Sequence, residues 1–292
     1  MSETTAIRAD LPPLAEEVPV LRIAPAGRWW TLPLDELWEY RELIYFFIWR
    51  DIKVRYKQTA MGASWAVIQP LATMLLFTLV FGKLAHIPSE GLPYAVFYYA
   101  ALLPWNYFAN ALSKTSTVVV SNQHILTKVY FPRLTLPLFA VFTGLVDFAI
   151  SFGMFVILLA WYHITPTWHA VWFPVFLLMA LLTALGVGLW LAALNALYRD
   201  VSQVLPFLMQ FWMFGSPVIY SSSMVRAKWP KLFWLFGLNP MTGVIEGFRW
   251  SLAGSGTAPG NLFILSAVIV IAILIGGLAF YQKMETEIAD RA

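Results

Sequence analysis

The sequence predicts an all-α integral membrane protein, and two observations point to this fold class. The first is composition, because 60% of the 292 residues are hydrophobic and only 12% are charged, whereas soluble domains carry about 25% charged residues. The second is the recurrence of apolar segments close to the length of about 20 residues that a helix needs to cross a bilayer. We count six such segments, with an N-terminal amphipathic interface helix before them and short re-entrant half-helices before the last one.

Residues 1–30 precede the first apolar helical face, and the first 20 of them are acidic and rich in proline. A signal peptide would have a basic start followed by an apolar core, and this stretch has no such pattern. Its composition predicts a flexible cytoplasmic tail. The whole chain contains no cysteine, which excludes disulfides, thiol chemistry and cysteine zinc sites.

An interface helix over residues 34–57 is predicted by apolar residues that recur at three- and four-residue steps, among them Leu37, Ile44 and Ile48. Its second half carries a basic cluster from Arg50 to Lys57. We interpret it as a helix along the inner leaflet, where each cation near anionic lipid adds about 1 kcal/mol of attraction. The alternatives are a stop signal that only sets topology and a surface helix that takes part in a moving interface.

The predicted spans form a transmembrane domain over residues 64–281, and a cytoplasmic tail follows over 282–292. The spans cover residues 64–82, 94–111, 134–161, 171–197, 204–219 and 262–281. Between the last two spans, residues 221–260 contain two apolar pieces, 232–238 and 241–253, separated by Asn239-Pro240. Each piece is too short to cross a bilayer. We therefore expect re-entrant or interfacial half-helices there.

Lys and Arg residues orient the predicted topology, because cytoplasmic loops carry an excess of them. The basic cluster before the first span, together with Lys128, Arg133 and Arg199, predicts that both termini are cytoplasmic. Four cations disagree, since they fall between the fifth and sixth spans: Arg226, Lys228, Lys231 and Arg249. The cluster before the first span usually dominates, so we keep six spans with both termini inside.

Motifs for enzyme chemistry are missing from the sequence. Without a G-x-x-x-x-G-K-[ST] loop, no ATP site is expected on this chain. It also lacks H-E-x-x-H and G-x-S-x-G strings, and its four histidines have no metal-ligand spacing. These absences leave no cofactor, metal or ATP site expected on this chain, so energy for transport would come from a partner or a gradient. Beside a transport subunit, the alternatives are an integral membrane acyl- or glycosyltransferase and a secondary transporter.

Two carboxylates lie in apolar surroundings, Asp147 in the third span and Glu246 in the second half-helix. A charge at bilayer depth costs about 2.5–3.5 kcal/mol, so such groups have partners or face water. For Asp147, a structural hydrogen bond and a transport role both stay open. Glu246 has Arg249 and Trp250 at i, i+3 and i, i+4 spacing, which fits either a local pair or a gate latch.

Five stretches of the sequence together resemble one family. They read LWEYRELIYFFIWRDIKVRYKQTAMGASWAVIQP, YYAALLPWNYFANAL, NQHILTKVYFPR, ALNALYRDV and LNPMTGVIEGFRW. In order and spacing, over residues 38–281, they resemble the membrane permease of type-2 ABC transporters that export polysaccharides such as O-antigen, capsular or teichoic-acid polymers. The most specific combination is RDIKVRYKQT…G…WA…QP with the later KVYFPR.

The resemblance implies a glycan substrate, and its candidate contacts are aromatic residues of the second span and basic residues of the interface helix. Aromatic faces are electron-rich and stack on the C–H faces of sugars, so we predict glycan contacts there; core packing is the alternative. These aromatic residues are Tyr94, Tyr98, Trp105, Tyr107 and Phe108. Guanidinium groups near the inner entrance would hold a lipid-linked diphosphate through charge-assisted hydrogen bonds, and the candidates are Arg41, Arg50 and Arg55.

The resemblance implies a homodimer in the bacterial cytoplasmic (inner) membrane, with two separate ATPase subunits that bind ATP and magnesium. It implies a lipid-linked polysaccharide as the substrate and no nucleic acid partner. It places a coupling helix at residues 121–133, a second ATPase contact at 198–200 and an extracytoplasmic gate at 221–260. The expected coupling residues are Asn122, Gln123, Leu126, Lys128, Tyr130, Arg133, Arg199 and Asp200. A solvated loop helix is the alternative for the first segment.

Overall fold

The computed structural model describes residues 34–57, 64–126, 128–198, 200–231, 233–254, 258 and 260–291, without the side chains of residues 34 and 285–291. The predicted N-terminal tail over residues 1–30 lies outside the described residues. Within the described ranges every regular element is a helix. The helices are α1 (Leu34–Glu39), α2 (Arg41–Lys57), α3 (Ser64–Phe77), α4 (Tyr94–Ser121), α5 (Gln123–Leu126), α6 (Thr135–Trp161), α7 (Phe173–Leu197), α8 (Val201–Phe214), α9 (Ser222–Lys228), α10 (Phe233–Leu238), α11 (Pro240–Ala253) and α12 (Asn261–Arg291).

Four helical stretches in the described ranges are long and apolar enough to cross a membrane. They are Ser64–Leu84, in which a π-helix extends α3, Thr135–Trp161, Trp168–Leu197, which begins with a 3-10 turn, and Asn261–Met284. They match the first, third, fourth and sixth predicted spans. The all-helical membrane class is therefore confirmed.

The other two predicted spans correspond to α4 and α8. The 28 residues of α4 rise about 42 Å, which is enough to cross a bilayer. A stripe of polar side chains makes α4 less apolar than the four candidate spans. The 14 residues of α8 rise only about 21 Å, against a hydrocarbon core of about 30 Å. The six-span count therefore stays a prediction.

The centre of the bundle is α4, which packs against α3, α6, α7 and α11. Most of its side chains are buried, and those of residues 96–101 are fully buried. On the other side of α7, the helices α7 and α12 approach closely, because a Cβ atom at Gly277 would lie 2.5 Å from the carbonyl oxygen of Gly186. Small residues allow such close backbone contact in membrane bundles.

The predicted interface helix is present as α1 and α2, with a turn at Tyr40 between them. The hydrogen bond from the Ile44 amide to the Tyr40 carbonyl oxygen, at 3.1 Å, continues the helical pattern into α2. One face of α2 packs against α6. There the Phe47 ring lies 5.9 Å from the Phe131 ring and 5.2 Å from the Phe139 ring, centroid to centroid. The protein itself thus holds this face of the helix.

The two short apolar pieces before the last span form α10 and α11, separated at Asn239. The Asn239 side chain caps α11, since its Oδ1 accepts from the Met241 amide at 3.0 Å. The same oxygen accepts from Trp212 Nε1 at 2.9 Å, and Nδ2 donates to Ser216 Oγ at 2.8 Å. Asn239 thereby fixes the half-helices to the end of α8; their re-entrant placement stays a prediction. The last helix continues to Arg291, through the predicted C-terminal tail.

Candidate functional site

Five charged or phenolic side chains join α2 to the bundle, and we call them the ion-pair cluster: Asp51, Arg55, Tyr56, Lys114 and Asp147. Asp147, on α6, accepts hydrogen bonds from both Arg55 and Tyr56. Lys114, on α4, donates to Asp51, and Arg55 Nη2 lies 3.8 Å from Asp51 Oδ2. The interface helix is therefore tied to two different helices of the bundle.

The ion-pair cluster is electrically balanced, because its two carboxylates face two cations. Its phenol, Tyr56, acts as a hydrogen-bond donor to Asp147. Burial raises the pKa of Tyr56, and the hydrogen bond to Asp147 raises that pKa further, so Tyr56 keeps its proton at neutral pH. For Asp147, the hydrogen bonds show the structural role left open by the sequence; a transport role stays a prediction.

A pocket of about 430 Å³ opens beside the ion-pair cluster, between α2, α3, α4 and α6. This volume is in the usual range of small-molecule sites, about 300–1,000 Å³. Amide, hydroxyl and aromatic side chains make up much of its wall, and we call it the amide pocket. Those beyond the ion-pair cluster include Trp65, Gln69, Asn106, Tyr107, Asn110, Ser113 and Thr117.

The polar wall of the amide pocket comes from one stripe of α4. Asn106, Asn110, Ser113, Lys114 and Thr117 all line the pocket, and their three- and four-residue steps place them on one helical face. Polar residues at membrane depth usually face a bundle interior or a water-filled cavity. The stripe explains why α4 is less apolar than the four candidate spans.

The three predicted diphosphate ligands do not form one site. Arg41 starts α2 and Arg55 lies in its last turn, so about 20 Å of helix separates them. Arg41 Nη1 donates to the Trp38 carbonyl oxygen at 2.9 Å, and Arg50 Nη2 donates to Asn122 Oδ1 at 3.2 Å. Arg55 belongs to the ion-pair cluster. One diphosphate group cannot reach all three, so each of these arginines stays a separate candidate.

The predicted glycan-contacting aromatics lie mainly in the protein core. Tyr98 and Phe108 are fully buried, and Trp105 and Tyr107 nearly so. The Phe108 ring packs edge-on against the Trp212 ring, with centroids 5.0 Å apart. Tyr94 is partly buried and stacks on Tyr98. Of the five residues, only Tyr107 lines the amide pocket, so core packing describes the others in this conformation.

In the predicted coupling segment, residues 121–133, not every residue expected to contact the ATPase is exposed. Asn122 is buried, and its Nδ2 donates to the Val118 carbonyl oxygen at 2.8 Å while Oδ1 accepts from Arg50. Leu126 is half-buried against the core. A continuous exposed stretch covers residues 128–130, with Tyr130 69% exposed, and Ser121 and His124 are exposed as well. Asn122 therefore joins α4 to α2 instead of presenting its amide to a partner.

The remaining predicted coupling residues lie around this exposed part and at the start of α8. Gln123 and Arg133 are half-exposed, and the Arg133 carbonyl oxygen accepts from the Tyr281 hydroxyl at 3.2 Å. Asp200 is exposed at the N-terminus of α8. Arg199 lies outside the described residues.

Glu246 forms the local pair that its spacing allows, because its Oε1 lies 3.5 Å from Arg249 Nη1. Oε1 also accepts from the Ser222 amide at 2.9 Å. Arg249 is completely buried and donates to the carbonyl oxygens of Phe97, Val218 and Tyr220. Its charge therefore never reaches a loop surface, which removes one of the four cations that disagreed with the predicted topology.

Metal binding finds no support in the described ranges, where no three His, Asp or Glu side chains come together as a possible metal site. What this site offers chemically is a charge-balanced pocket in which hydrogen-bonding amides lie beside aromatic and other apolar groups.

Residues 42–253, well over half of the chain, match the family described as ABC-2 type transporter. The chain belongs to this family. Together with its apolar helices, membership of this transporter family makes the chain a multi-pass membrane protein. The resemblance stated from the sequence is confirmed at this level.

Curated relatives of this ABC-2 type chain match it over almost the whole of their own length. The O-antigen export system permease protein RfbA of Myxococcus xanthus is 28% identical over 255 residues, which are 87% of this chain and 97% of the relative. The protein of the same name from Klebsiella pneumoniae is 26% identical over 82% of this chain and 91% of its own length. The polysialic acid transport protein KpsM of Escherichia coli is 23% identical over 81% and 91%, respectively.

Sequence reasoning missed the amide pocket of this ABC-2 type chain and most of the ion-pair cluster. Two signals for them were available. Asp51 and Arg55 have the i, i+4 spacing of a helical ion pair, and the polar stripe of α4 has helical periodicity inside an otherwise apolar segment. Neither signal identifies the partners on other helices, which only the fold brings together.

Proposed function

We propose that this chain is the permease of an ATP-driven exporter that moves a lipid-linked polysaccharide, O-antigen-like or related, across the bacterial cytoplasmic membrane. The observation that carries the proposal is the match over almost the full length of permeases named for O-antigen export and polysialic acid transport. ATP and magnesium are bound by a separate subunit, because this chain has no phosphate-binding loop.

The path from the ATPase to the membrane helices starts at the exposed residues of the coupling segment. This segment follows α4 and precedes α6. Lys114 on α4 and Asp147 on α6 both pair with α2, and Asn122 at the end of α4 accepts from Arg50 on α2. A push on the coupling segment therefore displaces both helices that hold the interface helix. We assign to this movement the opening of the entrance for the lipid-linked substrate.

A second copy of the chain completes the proposed channel. The helix α8 exposes a row of large apolar side chains, with Phe207 and Phe211 66% and 76% exposed. Because α8 alone is shorter than the hydrocarbon core of a bilayer, a protein neighbour is a better environment for its ends than lipid. We place the contact between the two copies on this face of α8.

The proposed function is tested in a host strain that lacks the gene for this chain. Expression of the tagged chain should restore surface polysaccharide, and the gently extracted chain should co-purify with an ATPase that carries a phosphate-binding loop. The proposal is wrong if the surface glycan does not depend on the chain and no ATPase accompanies it. Purified chain that transfers acyl or glycosyl groups would favour the enzyme alternative.

A further inference from the structure

The amide pocket contains hydrogen-bonding groups that the chain itself leaves unused. Among the described residues, the side-chain amides of Gln69, Asn106 and Asn110 have no hydrogen-bond partner, although all three line the pocket. Each amide provides two donors and an acceptor oxygen. Gln69 and Asn110 are exposed and Asn106 is half-buried, so all three amides are open to whatever fills the pocket. They can therefore bind water or a polar ligand there.

The charges of the pocket argue against an anionic ligand. Both cations at its wall are already paired, Arg55 with Asp147 and Lys114 with Asp51. A phosphate group would have to displace a carboxylate from one of these cations, which leaves that carboxylate without its partner. A neutral ligand needs no such exchange.

The aromatic part of the wall adds the complementary chemistry. Trp65 and Tyr107 line the same pocket as the three amides, and Trp65 is 55% exposed. A pyranose ring has apolar C–H faces, which suit aromatic faces, and a rim of hydroxyl groups that both donate and accept, which suit amides. A fatty acyl chain would satisfy the rings but not the amides.

We propose that the amide pocket is a binding subsite for one neutral sugar unit of the transported glycan, held by Gln69, Asn106 and Asn110 against Trp65 and Tyr107. The proposal rests on the proposed function, because it assumes that the substrate is a glycan. It also assigns the lipid-linked diphosphate to another place, since Arg55 is engaged with Asp147.

A thiol-protection experiment tests the subsite, because the chain has no cysteine of its own. Asn110→Cys is introduced into the full chain in lipid nanodiscs and labelled with N-ethylmaleimide. The probes are a delipidated, neutral repeat-unit oligosaccharide from the host's own surface polymer and, separately, inorganic pyrophosphate. We expect the oligosaccharide to slow labelling at least threefold and pyrophosphate to leave it unchanged. Ala85→Cys, exposed and outside the pocket, should label at the same rate with either probe.

Two results of the labelling experiment would overturn the subsite. Protection by pyrophosphate but not by the oligosaccharide would make the pocket an anion site. Absence of protection by either probe would mean that no sugar occupies it. Ser113→Cys, at another position of the pocket wall, repeats the measurement in case the variant at Asn110 does not fold.

An export measurement separates the failure of the subsite from the failure of the proposed function. Asn106→Leu and Asn110→Leu replace each amide by an apolar group of similar size and should lower surface polysaccharide at least fivefold while the ATPase still co-purifies. Asn261→Leu, the same change at an exposed position outside the pocket, should export normally. If wild-type chain does not restore the polymer, the proposed function fails. If wild type and both pocket variants restore it equally, only the subsite is wrong.

Discussion

Replacing Asp147 by leucine should raise the population in which α2 is released from the bundle about 30-fold. Asp147 accepts from Arg55 and Tyr56, and a hydrogen bond to a charged group contributes about 1.5–3 kcal/mol. Arg55 is 39% exposed and Asp147 19% exposed, and Arg55 keeps Asp51 at 3.8 Å. Solvent screening and this second partner reduce the total loss to about 2 kcal/mol. That loss corresponds to a factor of about 30 in the docked-to-released equilibrium.

Amide hydrogen exchange in lipid nanodiscs measures this change directly, because exchange of a locally opening segment follows its opening equilibrium. Amides of α2 should exchange about 30-fold faster in Asp147→Leu, while those of α12 stay unchanged and serve as an internal reference. Asp200→Leu removes an exposed carboxylate and should leave α2 as in the wild type. The swapped pair Arg55→Asp with Asp147→Arg should restore most of the protection.

The reasoning is refuted if Asp147→Leu exchanges its α2 amides at the wild-type rate. The packing of Phe47 against Phe131 and Phe139, with the Lys114–Asp51 pair, would then be sufficient to hold the interface helix. The bonds of Asp147 to Arg55 and Tyr56 would contribute nothing to its docking.

Three further predictions concern other surfaces of the chain. Lys128→Glu reverses an exposed charge of the coupling segment and should reduce ATP turnover of the assembled transporter at least tenfold; unchanged turnover would remove this residue from the ATPase contact. Phe211→Cys on the exposed face of α8 should form disulfide-linked dimers under mild oxidation, whereas Ile271→Cys, exposed on α12, should stay monomeric; the reverse pattern would place the contact on α12. Arg249→Met removes a fully buried cation and leaves the partly buried Glu246 without its partner; it should destabilise the fold by about 3–5 kcal/mol, seen as loss of folded protein on heating, while Arg226→Met should have little effect; equal stability of the two variants would contradict a stabilising role of this pair.

Local features of this fold were predictable from the sequence because neighbouring residues determine them. The helical segments follow from apolar length and periodicity, and the break at Asn239-Pro240 separates α10 from α11 as expected. Pro is well placed in the first turn of a helix. The pair of Glu246 with Arg249 also follows from i, i+3 spacing.

Partners far apart in the sequence were not predictable, because spacing along a helix says nothing about which other helix lies opposite. The sequence predicts that Asp147 needs a partner in apolar surroundings, but not that the partners are Arg55 and Tyr56 on α2. The same gap explains why the pairing of Arg55 with Asp147 was not foreseen when Arg55 was predicted as a diphosphate ligand.

The aromatic residues of α4 show a second limit of sequence reasoning. A protein core and a glycan-binding wall both favour aromatic rings, so composition alone cannot separate them. The outcome depends on which helices cover each face of α4. At Phe108 the covering residue is Trp212 from α8, and at Tyr99 it is Phe155 from α6.

In the proposed exporter, α4 connects substrate binding with ATP-driven movement. Asn106 lines the amide pocket and Asn122 ends the helix beside the coupling segment, about 24 Å further along the axis. Lys114 lies between them and binds Asp51 on α2. Because a helix is stiff along its axis, a displacement of the coupling segment moves the whole polar wall of the pocket and carries α2 with it. Burying polar groups at membrane depth costs free energy. Because these groups lie together on one helix, ion pairs and a bound sugar can offset that cost.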